Sequence, residues 1–141
     1  MSKLKNHAQL KNNITIEKYL IVVKNVFQRT AFTKLRLSNH ALMIEKGRHL
    51  SLKRFDRTCP FCPWSIETEQ HVLLNCLSYS HLRQKILDEV KKNINFSLRD
   101  DEQSLFTSLL SKPSISVILA RFIRFSMELR SFLLLHARTT R

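Results

Sequence analysis

Cys59-Pro60-Phe61-Cys62, then eight residues to His71 and four more to Cys76, spell C-x2-C-x8-H-x4-C, and these are all the cysteines in the 141 residues. Thiols crowded into so short a stretch must share one local structure. An odd count cannot be consumed in a disulfide framework, and the early apolar run, Tyr19 to Val23, is too short for a secretory core, so reduced thiols in an intracellular compartment, nucleus or cytoplasm, are expected. Three thiolates and an imidazole at this spacing are the donors of a tetrahedral zinc. His81, four residues beyond Cys76, is the alternative fourth donor. His71 is preferred because it gives the shorter loop and sits on a predicted helical turn. With four protein ligands no position is left for an activated water, so the expected Zn2+ is structural and not catalytic. Phe61 and Trp64 beside the first two ligands either cover the metal as its apolar shell or offer rings on which bases stack.

One Gly and three Pro leave little material for the tight turns of sandwiches and barrels. The expected fold is therefore mostly α: a small helical domain built around a Cys3His zinc knuckle. Three stretches divide it: a basic helical segment 1–58, the knuckle 59–80 and a helical segment 81–141, together one compact domain. Charge is unevenly spread along them. The chain carries 24 Lys+Arg against 11 Asp+Glu, +13 in all, and Met1 to Thr58 alone holds 13 bases and three acids. Such an excess predicts a polyanionic partner, RNA or DNA. The segment Cys59 to Ser80 has Glu67 and Glu69 and no base, so the cysteines themselves are not the polyanion clamp. Arg48, Lys53, Arg54 and Arg57, just before them, are the candidate phosphate contacts; the competing reading is a solvated charged loop.

Apolar periodicity places the helices. Ile16, Tyr19, Leu20, Val23, Phe27 and Ala31 recur at three- and four-residue steps and predict one helix from Thr15 to Phe32, which Thr33 to His40 either prolongs or follows. Leu42, Ile44, Leu50 and Leu52 alternate around Gly47, as in a short hairpin or an extended loop leading to the cysteines. Thr68 to Asn75 reads as one or two helical turns. Ser80 opens a helix with Leu82, Ile86, Leu87, Val90 and Ile94 on one stripe, and Ser97 or Asp100 starts a shorter one that ends before Pro113. The last helix runs from a Ser114 cap to about His136, apolar over more than half its circumference; it is either a core helix or a docking face. Arg121, Arg124, Glu128 and Arg130 interrupt it, so no membrane span is expected.

Two groups of residues resemble the zinc-binding region that lies C-terminal to the polymerase domain in non-LTR, LINE-like retrotransposon reverse transcriptases. The first is Thr33-Lys34-Leu35-Arg36-Leu37-Ser38-Asn39-His40 with Ile44-Glu45-Lys46-Gly47-Arg48-His49; the second is Cys59-Pro60-Phe61-Cys62 with Glu67-Thr68-Glu69-Gln70-His71-Val72-Leu73-Leu74-Asn75-Cys76. The resemblance covers about Thr33 to Leu82. It implies a module beside the enzyme that copies element RNA, holding template or target nucleic acid, with an adjoining reverse transcriptase domain as a partner.

The chain has no Tyr-x-Asp-Asp-like polymerase centre and no nuclease constellation, and Asp100-Asp101-Glu102 is accounted for as a helix start. No enzymatic activity and no small-molecule substrate are expected. The leading reading is a zinc-stabilised nucleic-acid-binding module; the alternative is an interaction or scaffolding module docking through the apolar last helix.

Overall fold

The computed structural model describes residue 13, residues 15–93 and residues 101–139. Six α-helices lie among the described residues: α1 (Lys18–Val22), α2 (Val26–Arg36), α3 (Met43–His49), α4 (Ser80–Asn93), α5 (Glu102–Ser111) and α6 (Ser116–Thr139). Short 3-10 turns lie at Arg54–Asp56, Leu77–Tyr79 and Pro113–Ile115, and a π-type turn at His71–Asn75. The fold is mostly helical, as expected. No strand occurs among the described residues; an isolated antiparallel bridge joins Thr58 to Ile66.

α6 is the central post, with α1, α2, α4 and α5 packed against it. Its N-terminal half buries Leu119, Ala120, Phe122 and Ile123, which with Phe32, Leu35, Leu42, Tyr79, Val90 and Leu110 make a core shared by every part of the described chain. Phe125 faces outward in that same half, and in the C-terminal half Phe132 and Leu135 are exposed while Arg130 stays buried. The core reading of the last helix thus holds for its inward face.

The single helix expected over Thr15 to Phe32 is broken in two. Asn25 accepts hydrogen bonds from the Phe27 and Gln28 amides (3.0 and 3.1 Å) and caps α2, while α1 ends at Val22. A side chain that offers the backbone an alternative acceptor ends one helix and starts another. The break turns the apolar stripe: Tyr19 and Val23 are buried, whereas Ile16, Leu20 and Phe27 face outward. α2 then runs on to Arg36. The Asn39 amide donates to the Lys34 carbonyl (2.8 Å) and the Ser38 amide to that of Leu35 (3.2 Å), with Ser38 at φ 51°. This is a Schellman stop with serine where glycine is usual.

The hairpin anticipated between Leu42 and Leu52 is a helix. α3 closes in the same way, through the Leu52 amide to the Gly47 carbonyl (2.8 Å) and Ser51 at φ 57°. Gly47 is not a turn residue there. It lies inside α3, where a Cβ would sit 2.5 Å from Cγ of Arg57 and a larger residue would crowd that side chain.

α5 is capped by Asp101, whose carboxylate accepts from the Ser104 amide (2.8 Å), and stops at Ser111, with Pro113 soon after. Ile94, Ser97 and Asp100 lie outside the described residues. α6 starts at Ser116; Ser114, the anticipated cap, lies instead inside the 3-10 turn before it. No single helix among the described residues is long and apolar enough to cross a membrane.

Candidate metal centre

The backbone around the cysteines is a tight double turn. The Cys62 amide donates to the Cys59 carbonyl (3.2 Å) and the Ser65 amide to that of Cys62 (2.9 Å); the Cys59 amide then pairs with the Ser65 carbonyl (2.8 Å) and the Glu67 amide with that of Arg57 (3.0 Å). This fixes the first two thiols on one side. On the other, Thr68 accepts from the His71 amide through Oγ1 (3.0 Å) and starts the π-type turn, which ends with the Cys76 amide on the His71 carbonyl (2.7 Å). One wide turn therefore brings His71 and Cys76 to the same side.

Cys59, Cys62, His71 and Cys76 form one buried cluster, with a ligand atom of each within 4.8 Å of the others. The Cys76 sulfur lies 3.9 Å from those of Cys59 and Cys62. A tetrahedron of zinc–thiolate bonds of about 2.3 Å has edges of about 3.8 Å, so these separations are those the ion requires. Burial pushes the Cys59 thiol up, and burial with the neighbouring thiols pushes Cys76 up to about 12. A divalent cation among them would offset the cost of their ionisation. Burial likewise lowers His71, against the pull of Glu67, so the ring is neutral, and its buried Nε2 has no hydrogen-bond partner. A neutral imidazole with an unclaimed nitrogen beside three thiols fits zinc by number, type and spacing of donors. His81 is exposed on α4 and is not part of the cluster.

Arg83, also on α4, closes the site from outside. Its guanidinium donates to the carbonyls of Leu73 (2.8 Å), Val72 (3.0 Å) and Cys76 (2.8 Å), the unsatisfied end of the π-type turn. It also sets a positive charge near Cys76 and Cys62, where three thiolates on a divalent ion would leave a net negative charge. Nothing in the spacing of the ligands marks this residue in advance.

Glu67 and Glu69, which flank the predicted turn, do more than bracket it. Glu67 is fully buried; its carboxylate accepts from Arg130 of α6 (Nε to Oε1 2.7 Å, Nη2 to Oε2 2.8 Å) and from the Met43 amide at the start of α3 (2.6 Å). Its carbonyl also accepts from the Ile44 amide (3.1 Å). Glu69 accepts from Ser38 Oγ and meets His40 Nε2, each at 2.9 Å. Burial alone would raise the Glu69 carboxyl, but the His40 and Ser38 contacts outweigh it and hold the group below its usual range.

The candidate contact residues separate. Lys53 and Arg54 are exposed, and Trp64 is 76 % exposed. Arg48 is partly taken by Glu45 (2.8 Å). Arg57 is occupied, donating through Nε and Nη2 to the Leu52 carbonyl (3.0 and 2.9 Å) and through Nη1 to that of Ile44 (3.1 Å). Phe61 is half-buried, edge-on to Tyr79 with ring centroids 6.2 Å apart, and so belongs to the apolar shell. Phe55, at 81 % exposure, is an aromatic the charge pattern passed over; a lone ring inside Lys53-Arg54-Phe55-Asp56-Arg57 was its signal.

The chain matches no protein-family model, no curated protein and no solved structure. Its likeness to retrotransposon reverse transcriptases therefore rests on the motif residues themselves.

Proposed function

We propose that the chain is a zinc-stabilised module that binds nucleic acid, of the kind that lies beside a retrotransposon reverse transcriptase domain, and that it acts by binding without catalysis of its own. The observation that carries this reading is the exposed basic and aromatic edge at the knuckle: Lys53, Arg54, Phe55 and Trp64 stand in solvent within a few residues of the cysteines. Solvent-exposed rings beside cations are costly to leave uncovered and suit single-stranded nucleic acid, on which stacking and backbone charge act together. The net charge of +13 supplies the long-range attraction. Zinc serves here as a structural ion that holds the four donors together.

The acids support the non-catalytic part. Glu17 pairs with Arg36, Glu45 with Arg48, Glu67 with Arg130, Glu69 with His40 and Glu128 with Arg124, while Asp101 caps α5. Glu102 accepts from Gln70 and Asn75 (3.1 and 3.3 Å). Each of these seven is engaged as a structural partner, and among the described residues no three carboxylates are gathered as a metal-dependent nuclease requires.

The test is elemental analysis together with binding of single-stranded RNA and DNA across a salt series. One zinc per chain is expected, lost with Cys62→Ser, and an affinity that falls steeply as salt rises. Changing Lys53 and Arg54 together should lower the salt slope by about 2. A folded protein without metal refutes the zinc reading. A salt-independent affinity, or parental binding by the double variant, refutes the proposed contact.

A further inference from the structure

An open groove of about 690 Å³ runs between α2 and α6 and reaches the loop at Asn39, His40 and Ala41. From α2 it takes Val26, Phe27, Thr30 and Lys34, a single helical face, and from α6 Ile123, Arg124 and Met127, another. Its upper edge is apolar and uncovered: Val26 is 53 % and Phe27 64 % exposed. The Arg124 guanidinium lies 5.4 Å from the centre of the Phe27 ring.

All the charged groups lining the groove are basic: Lys34, Arg124, Arg130 and, when protonated, His40; no carboxylate lines it among the described residues. Three of the four are already engaged, Arg130 by Glu67, His40 by Glu69 and Arg124 by Glu128 on the next turn of α6. Lys34 makes no ion pair among the described residues and is exposed. From Val26 to Lys34 the wall is about 12 Å long, two turns of helix.

We propose that this groove receives a short amphipathic helix of a partner protein, with an apolar ridge flanked by acidic residues. An aliphatic trough between two helices, with anchors along each wall, is the geometry in which a third helix lays its ridge. The charge selects its flank, because an acid on the incoming helix meets Lys34, whereas a base there is repelled. The same charge disfavours a second copy of this chain, since two molecules of +13 would meet through basic faces. Nucleic acid is a poorer fit: the only aromatic carbon ring in the lining, Phe27, already has a guanidinium beside it, and the other apolar residues there offer no ring on which a base could stack. The groove shares no residue with the metal cluster or with the exposed edge at Lys53 to Trp64, so the inference stands apart from the nucleic-acid reading.

Zinc-loaded, 15N-labelled full chain is titrated with a synthetic peptide of about 15 residues, near the least that holds a helix in water. It carries leucines at i, i+3, i+4 and i+7 and glutamates beside them; a twin carries lysine for every glutamate, and a single-stranded RNA is titrated in parallel. The acidic peptide should bind and shift the amides of Thr30, Ala31, Met127 and Ser131, while the lysine twin binds at least about fivefold more weakly. Lys34→Glu, an exposed change, should narrow or reverse that preference. Equal binding of the two peptides, no saturable binding, or shifts that map elsewhere overturn the proposal. So does stronger shifting of the same amides by RNA, or by raising the protein concentration alone.

Discussion

Replacing Arg130 by Met should unseat the knuckle from the helical core. The guanidinium reaches both oxygens of a carboxylate that is wholly out of solvent, at 2.7 and 2.8 Å, and is itself 7 % exposed. Removing it leaves Glu67 buried with the Met43 amide as a remaining donor (2.6 Å), and an uncompensated buried charge costs about 3–5 kcal/mol. For a chain of this size each kcal/mol lowers the midpoint by roughly 3 °C, so a fall of about 10–15 °C is expected. Thermal and urea unfolding of the zinc-loaded protein measure it. The pair itself is isolated by adding Glu67→Met: the double variant should be less destabilised than the sum of the singles, because neither charge is then stranded. A loss below about 1 kcal/mol for Arg130→Met, or strict additivity in the double variant, would refute the account of Glu67 as the joint between knuckle and α6.

Three further outcomes follow from the same geometry. Arg83→Met should leave the four donors in place yet weaken zinc by about tenfold or more in competition with a chelator, with Arg83→Lys intermediate; unchanged affinity would show that its three hydrogen bonds serve the turn alone. Gly47→Ala should cost about 1–3 kcal/mol in urea unfolding, since the new methyl meets an Arg57 side chain already held by three hydrogen bonds, and a neutral result would mean that Arg57 moves aside freely. Glu69 has a folded pKa below the unfolded value, so its contribution is present above about pH 4.5 and is lost as the pH falls through the lowered value. Glu69→Gln should therefore flatten the acid side of the stability curve, which a urea series from pH 3 to 7 would read out, and an unaltered acid limb would refute the assignment.

The metal donors are legible in the sequence because they are chemically distinctive and local: four residues of rare type inside one short stretch leave few alternatives. Helix content is legible from the scarcity of Gly and from apolar spacing. Helix boundaries are less so. Asn25 and Ser38 decide where α1 and α2 end, through side-chain and left-handed backbone conformations that periodicity does not report. Gly47 misleads for a related reason, since a glycine that yields space to Arg57 looks the same in sequence as one that makes a turn. The partnership of Arg130 with Glu67 spans 63 residues, and that of Arg36 with the Leu110 carbonyl 74, distances over which no spacing rule operates.

Those long-range partners give the motif ahead of the cysteines a physical meaning. Ser38 and His40 end on Glu69; Met43 and Ile44 open α3 on Glu67; Gly47 makes room for Arg57, whose carbonyl pairs with the Glu67 amide. Ser38, His40 and the Ile44 amide of the first motif are thus satisfied by the second, and a buried polar group stripped of its partner costs more than the bond contributes. A zinc on the four donors would tie the cysteine turn to the π-type turn, and Glu67 and Glu69 stand between them. Losing the metal would accordingly loosen not only the knuckle but also the acceptors on which the Ser38 stop and the α3 start depend. The two motifs should therefore unfold as one cooperative unit: chelation is expected to cost helix α3, read by faster amide exchange at Met43 and Ile44, and unchanged exchange there would refute the coupling.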